Sequence, residues 1–143
     1  MPPELVFDQQ IGDIFSARVA GNFVNTDIIG SLEFATAAAG SKAIVILAHS
    51  ACGAVKGAVD EVKLGNLTAM LENIEPAIQA TPLTGEKSSK NTAYVEAVST
   101  KNAELTVAAL LDRSPVIKGL VDEGKVKVVA AKHDVATGKV TFL

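Results

Sequence analysis

Two side chains that bind metals stand three positions apart in His49-Ser50-Ala51-Cys52-Gly53. An imidazole nitrogen and a thiolate sulfur together suit zinc, at bond lengths of roughly 2.0–2.3 Å. The pair follows directly on Ala43-Ile44-Val45-Ile46-Leu47-Ala48, a continuous β-branched, apolar run that reads as a strand covered on both faces. In open α/β sheets ligands bind just beyond the carboxyl ends of strands, so the position suits a site. A short helix starting near Cys52 and carrying Ala54, Val55 and Val59 puts its N-terminus behind the sulfur, which favours the thiolate. Gly53 lets the backbone approach closely whatever is bound. A zinc site takes at least three protein ligands, and the sequence holds 1 Cys and 2 His. His133 falls in a strand-end stretch and reads as structural. Glu4, Asp8 and Asp13 are oxygen donors near the chain start, where acids are usually solvated. The same segment also fits a buried cysteine beside a satisfied histidine, and spacing alone leaves both readings open.

The elements that must hold this segment alternate along the chain. Asp13 to Val19 has strand character and Ala20-Gly21-Asn22 ends it as a turn. Thr26 reads as the N-cap of a helix running to about Ala39, with Ile28, Leu32, Ala35 and Ala39 on one apolar face and Gly40 in the C′ position. Asn66 reads as the cap of a helix carrying Leu67, Met70, Leu71, Ile74 and Ile78, which Pro76 kinks or ends. Thr81 to Lys90 is polar and reads as an exposed loop. Asn91 to Asp112 forms a long helix through Val95, Val98, Leu105 and Leu110. Ser114-Pro115 is an N-cap followed by proline at the first helical position, and Gly124 closes that helix. Val126 to Ala130 reads as a strand, and Thr137-Gly138 turns it into a last strand, Val140-Thr141-Phe142. Strands alternating with helices predict an α/β fold: a Rossmann-like, layered, mostly parallel sheet flanked by helices, with a C-terminal β-hairpin. No repeat or second composition is evident, so residues 1–143 read as one domain.

Composition excludes several classes of function. A net charge of −3 and a pI near 5.3 provide no basic stripe to neutralise phosphates, so nucleic acid is not an expected partner. Aromatic residues at 4% leave no base-stacking surface. Gly-x-Gly-x-x-Gly and the P-loop pattern are absent, which removes support for a nucleotide site. The longest apolar run is too short to span a bilayer, and Met1-Pro2-Pro3-Glu4 does not resemble a signal peptide. With a single cysteine no internal disulfide can form, which fits a reducing, cytoplasmic setting. A mean hydropathy of +0.31 is high for a small chain, and predicts that some apolar surface meets another subunit in a homodimer or larger homo-oligomer.

Taken with their neighbours, these residues resemble the β-class carbonic anhydrase family. Val19-Ala20-Gly21-Asn22 is similar to the family's Asn-Ala-Gly-Asn turn, with valine in the first place. Ser31-Leu32-Glu33-Phe34-Ala35 is similar to its Ser-Ile-Glu-Tyr/Phe-Ala helix, and His49-Ser50-Ala51-Cys52-Gly53-Ala54-Val55 to its His-x-x-Cys-Gly zinc motif. Gly65-Asn66-Leu67, Arg113-Ser114-Pro115 and Asp134 to Val140 follow in the family's order. The resemblance implies that His49 and Cys52 are two of three Zn2+ ligands. It implies that Phe15, Ala20 and Phe34 line an apolar CO2 pocket, Phe34 from a partner subunit, with the backbone of Gly53 near the bound anion. The implied reaction is reversible hydration of CO2 to bicarbonate, in which zinc lowers the pKa of bound water from about 15.7 to about 7.

The sequence also departs from that pattern. The family's Cys-x-Asp-x-Arg segment precedes a Val-Pro-Pro-Glu-like stretch, and here Met1 stands where that valine would. The first zinc cysteine and the Asp–Arg pair are therefore expected to be missing from these 143 residues, and CO2 hydration by them alone is expected to be weak or absent. The lost strand would be central in the sheet, so unpaired backbone edges are expected. His133 stands where the family usually has tyrosine. Besides a shortened enzyme, two other readings fit: a non-catalytic assembly or regulatory subunit, and a zinc hydrolase of the same fold acting on a small molecule such as carbonyl sulfide.

Overall fold

A computed structural model describes residues 1–143. Its first regular element is a single helical turn, α1 (Pro3–Val6), which the sequence pattern did not suggest. Next come α2 (Thr26–Glu33) and a π turn at Phe34–Ala38, then β1 (Ala43–His49) and α3 (Gly53–Val59). The chain continues through α4 (Gly65–Glu72), α5 (Glu75–Ala80), the long α6 (Thr92–Arg113) and α7 (Pro115–Asp122), and ends in β2 (Lys127–His133) and β3 (Val140–Phe142). β1 and β2 pair in parallel from Ala43 opposite Lys127 to His49 opposite His133, and β3 returns antiparallel along β2. The sheet order is β1-β2-β3, an α/β fold with the C-terminal hairpin in place. No helix is long and apolar enough to cross a membrane.

The chain punctuation follows local chemistry. Ser114 Oγ accepts from Ile117 N at 3.1 Å, with Pro115 opening α7 and Gly124 closing it at φ +71°. Asn91 Oδ1 caps α6 by accepting from Tyr94 N. Pro76 falls in the first turn of α5, so the stretch from Gly65 breaks into α4 and α5 there. Two expected caps shift by one or two places. Asn25, whose backbone is still extended, caps α2 by accepting from Ile28 N at 2.9 Å, and Thr26 is already helical. Asn66 lies inside α4, which starts at Gly65; there the Thr68 hydroxyl accepts from Leu64 N at 2.9 Å instead.

Two strand expectations are corrected. Asp13–Val19 forms no strand and joins no sheet; Asp13 lies in a turn, and no backbone group of Ile14 to Arg18 bonds to another backbone group. β1 is not covered equally on both faces. Ile44, Ile46 and Ala48 are buried against α6, α7 and β2, whereas Val45, Leu47 and His49 on the other face are only half-buried. β1 is an edge strand, so its apolar run exceeds what this sheet covers. A second apolar cluster, around Val55, Val59, Ile74, Val95 and Val98, packs α3, α4 and α5 on the first half of α6 and takes in Cys52.

Candidate metal centre

His49 is the last residue of β1, and Cys52 caps α3 one turn of chain later. The bridge between them is strained: Ala51 adopts φ +55°, which a residue with a Cβ seldom does. Three anchors hold it. Ser50 N donates to His133 O at 2.9 Å, and Ser50 Oγ accepts from Val135 N at 2.9 Å, tying the bridge to the end of β2. Ala51 N donates to Glu96 Oε1 on α6 at 2.9 Å. Behind them, Ser99 Oγ donates to His49 O at 3.2 Å.

Glu96 is itself fixed. Its Oε2 lies 2.6 Å from Lys132 Nζ, with both side chains mostly buried, and Lys132 also donates to Glu96 O. Burial pushes the Glu96 carboxyl up, but the Ala51 N–H and the Lys132 ammonium outweigh it and hold the group below the usual carboxylate value. Asp134, at the start of the β2–β3 turn, is held low by the backbone N–H of Ala136 and by neighbouring hydroxyls.

The His49 ring lies with Nδ1 2.9 Å from Ser50 O. A carbonyl only accepts, so Nδ1 is the donor there, and in the neutral ring that leaves on Nε2 the lone pair a metal ligand needs. Cys52 is buried, and both residues line one large cavity with Gly53, Phe15 and Ala20. A Cβ built on Gly53 meets no protein atom within 4 Å, so packing does not demand glycine there. Phe34 does not line that cavity. It lies more than half exposed against Phe15 of its own chain, ring centroids 6.0 Å apart.

No three His, Cys, Asp or Glu side chains come close enough together to hold a metal ion. Glu4, Asp8, Asp13 and His133 therefore do not join His49 and Cys52 as a third ligand. Asp13 reaches the same cavity without completing a cluster. His133 stands opposite His49 in the sheet register, buried, with Nδ1 lacking a partner. Two donors of the right kind fall short of the three a zinc site takes; the residues present fit part of a zinc site and not the whole. Sequence spacing singles out His49 and Cys52 as candidates. It missed Glu96 and Lys132, which lie 45 or more residues from the loop that they hold and carry no motif.

The carbonic anhydrase family model matches residues 1–140 of this chain. Carbonic anhydrase 2 of Mycobacterium tuberculosis is 28% identical over 141 residues, which are 95% of this chain and 65% of that protein. A carbonic anhydrase of Mycolicibacterium smegmatis is 32% identical over 142 residues, 96% of this chain and 66% of that protein. The chain thus spans about two thirds of the length of these curated relatives. Among solved structures, a tetrameric β-carbonic anhydrase of Sordaria macrospora superposes with a TM-score of 0.85 at 24% identity, covering 99% of this chain and 74% of that one. A Coccomyxa β-carbonic anhydrase solved with acetazolamide gives 0.87 at 22% identity, covering 100% and 66%. The chain belongs to the β-class carbonic anhydrase family.

Proposed function

We propose that this chain contributes His49 and Cys52 as two of the ligands of a zinc-dependent site for the reversible hydration of CO2, and that residues 1–143 alone bind zinc weakly and turn over CO2 poorly. The observation that carries this reading is the pairing of a free His49 Nε2 with a buried Cys52 at the carboxyl end of β1, with no third donor grouped with them. That Phe15, Ala20 and Gly53 line the same cavity as the pair, with open space at the Gly53 Cβ position, supports an apolar site for CO2 and its bound anion there. The exposure of Phe34 beside Phe15 supports the reading that Phe34 meets a second copy of the chain in a homo-oligomer.

The test is metal analysis together with a stopped-flow CO2-hydration assay on the 143-residue chain. The expected result is zinc well below one ion per chain and slow hydration. One tightly held zinc per chain with rapid turnover would overturn the weak-site reading.

A further inference from the structure

Of the five ion pairs in the chain, Lys132–Glu96 is the most enclosed, with side chains 19% and 27% exposed. Enclosing a charge pair costs desolvation that its attraction need not recover, so a carboxylate kept there is expected to do more than pair. Lys132 Nζ takes Glu96 Oε2, which leaves Oε1 to accept from Ala51 N at 2.9 Å. That N–H belongs to the peptide unit joining Ser50 to Ala51. The carbonyl of the same unit, Ser50 O, lies 2.9 Å from His49 Nδ1. One peptide plane is thus gripped at both ends, by a carboxylate on α6 and by the imidazole. In a trans peptide the N–H and C=O point in opposite directions and cannot be aimed separately.

The grip works against the local backbone. Ala51 sits at φ +55°, where a residue with a Cβ is disfavoured. In four-residue turns, reversing the peptide between the two central residues exchanges a positive φ at the second for a negative one, the difference between types II and I. Reversing the Ser50–Ala51 peptide would relieve Ala51 in the same way. It would also take Ser50 O from His49 Nδ1 and Ala51 N from Glu96. The bonds of Ser50 N and Ser50 Oγ to the end of β2 and its turn do not oppose this, because both atoms lie outside the peptide unit that turns. We propose that Glu96 is a positioning residue: by holding the Ser50–Ala51 peptide against reversal, it aims Ser50 O at His49 Nδ1 and keeps the ring in the Nδ1–H tautomer, with Nε2 free. Which ring nitrogen carries the proton follows from the hydrogen bonds the ring makes. Lys132 acts one step further back, by fixing Glu96. The use of Nε2 as a ligand rests on the proposed function; the tautomer itself does not.

The experiment is proton–nitrogen correlation NMR of the imidazole rings in the metal-free 143-residue chain, at about pH 9, where an ordinary imidazole is neutral. Comparison with His133→Gln identifies the His49 signals, and the amide spectrum of each sample reports whether it is folded. His49 of the wild type is expected to be mainly Nδ1–H. Glu96→Gln with Lys132→Met keeps an oxygen for Ala51 N without stranding an ammonium, and is expected to retain that form. Glu96→Ala and the bulkier Glu96→Met, each with Lys132→Met, offer no oxygen. In them the ratio of Nδ1–H to Nε2–H is expected to fall roughly threefold or more, the weight of one net hydrogen bond. Adding Ala51→Gly, which accepts positive φ without strain, is expected to recover part of that loss, whereas general loosening of the loop would not be repaired by glycine. A wild-type ring that is mainly Nε2–H would overturn the proposal, as would equal ratios with and without the oxygen at position 96. The metal reading fails separately: zinc affinity unchanged by His49→Ala would count against it and leave the tautomer result standing.

Discussion

Glu96 restrains the loop from His49 to Cys52 from the second turn of α6. Its carboxylate accepts from Ala51 N, whose φ of +55° puts that residue in the left-handed region, and it pairs with Lys132 at 2.6 Å. Glu96→Ala removes the acceptor and strands a mostly buried ammonium, so a stability loss of about 1–3 kcal/mol is expected by urea denaturation. Glu96→Gln keeps an oxygen for Ala51 N and is expected to lose less; equal losses would show that the Ala51 contact contributes nothing. The pH dependence has a definite sign. The folded carboxyl titrates below its ordinary 4.5, so the unfolded chain takes up the proton first as pH falls. The pair's contribution is complete above about pH 4.5 and fades as pH drops through the lower folded value. The wild type is expected to lose stability more steeply than Glu96→Gln across that window, and parallel pH profiles would contradict it. His49 and Cys52 are legible as a candidate pair because their spacing is short and local. The Glu96–Lys132 clamp was not, because its parts meet only after α6 packs on β2.

At the scale of elements, the caps and breakers carried most of the legible information. Ser114 illustrates why: one fully buried hydroxyl accepts from Ile117 N to start α7 and donates to Glu33 Oε1 of α2 at 2.7 Å. Ser114→Ala is expected to cost about 1–2 kcal/mol in thermal or chemical unfolding, and an unchanged midpoint would contradict the double role. Gly21 shows a requirement that composition hides. It sits at φ +88°, and a Cβ there would lie 2.8 Å from Ile74 Cδ1. Gly21→Ala is expected to cost about 1–3 kcal/mol through strain and the need for Ile74 to move, which the same unfolding measurement reads. Asp13–Val19 marks the limit of local reading. Its residue types favour a strand, but a strand exists only where a neighbour accepts its hydrogen bonds, and that neighbour is a property of the whole sheet. β1 failed similarly: its apolar run predicts cover on both faces, and coverage depends on what packs there.

For the whole molecule, apolar surface remains after the chain has folded. Leu5, Ile11, Phe15, Phe34 and Phe142 are all substantially exposed, Ile11 almost completely. Such surface on a chain of 14.8 kDa suits self-association, and sizing chromatography is expected to give a mass of at least two chains. Substituting both Phe15 and Phe34 with serine should shift the population toward single chains; a wild type that elutes as a monomer at all concentrations would contradict this. On the proposed reading, these 143 residues offer zinc one imidazole and one thiolate, where a complete protein site offers three or four ligands. Equilibrium zinc titration against a competing chelator, on the wild type and on His49→Ala and Cys52→Ser, tests it most directly. A wild-type Kd of about 1 μM or weaker is expected, roughly −8.2 kcal/mol or less in strength, with a further loss in each variant. Nanomolar binding at one ion per chain, or wild-type affinity retained by either variant, would contradict it.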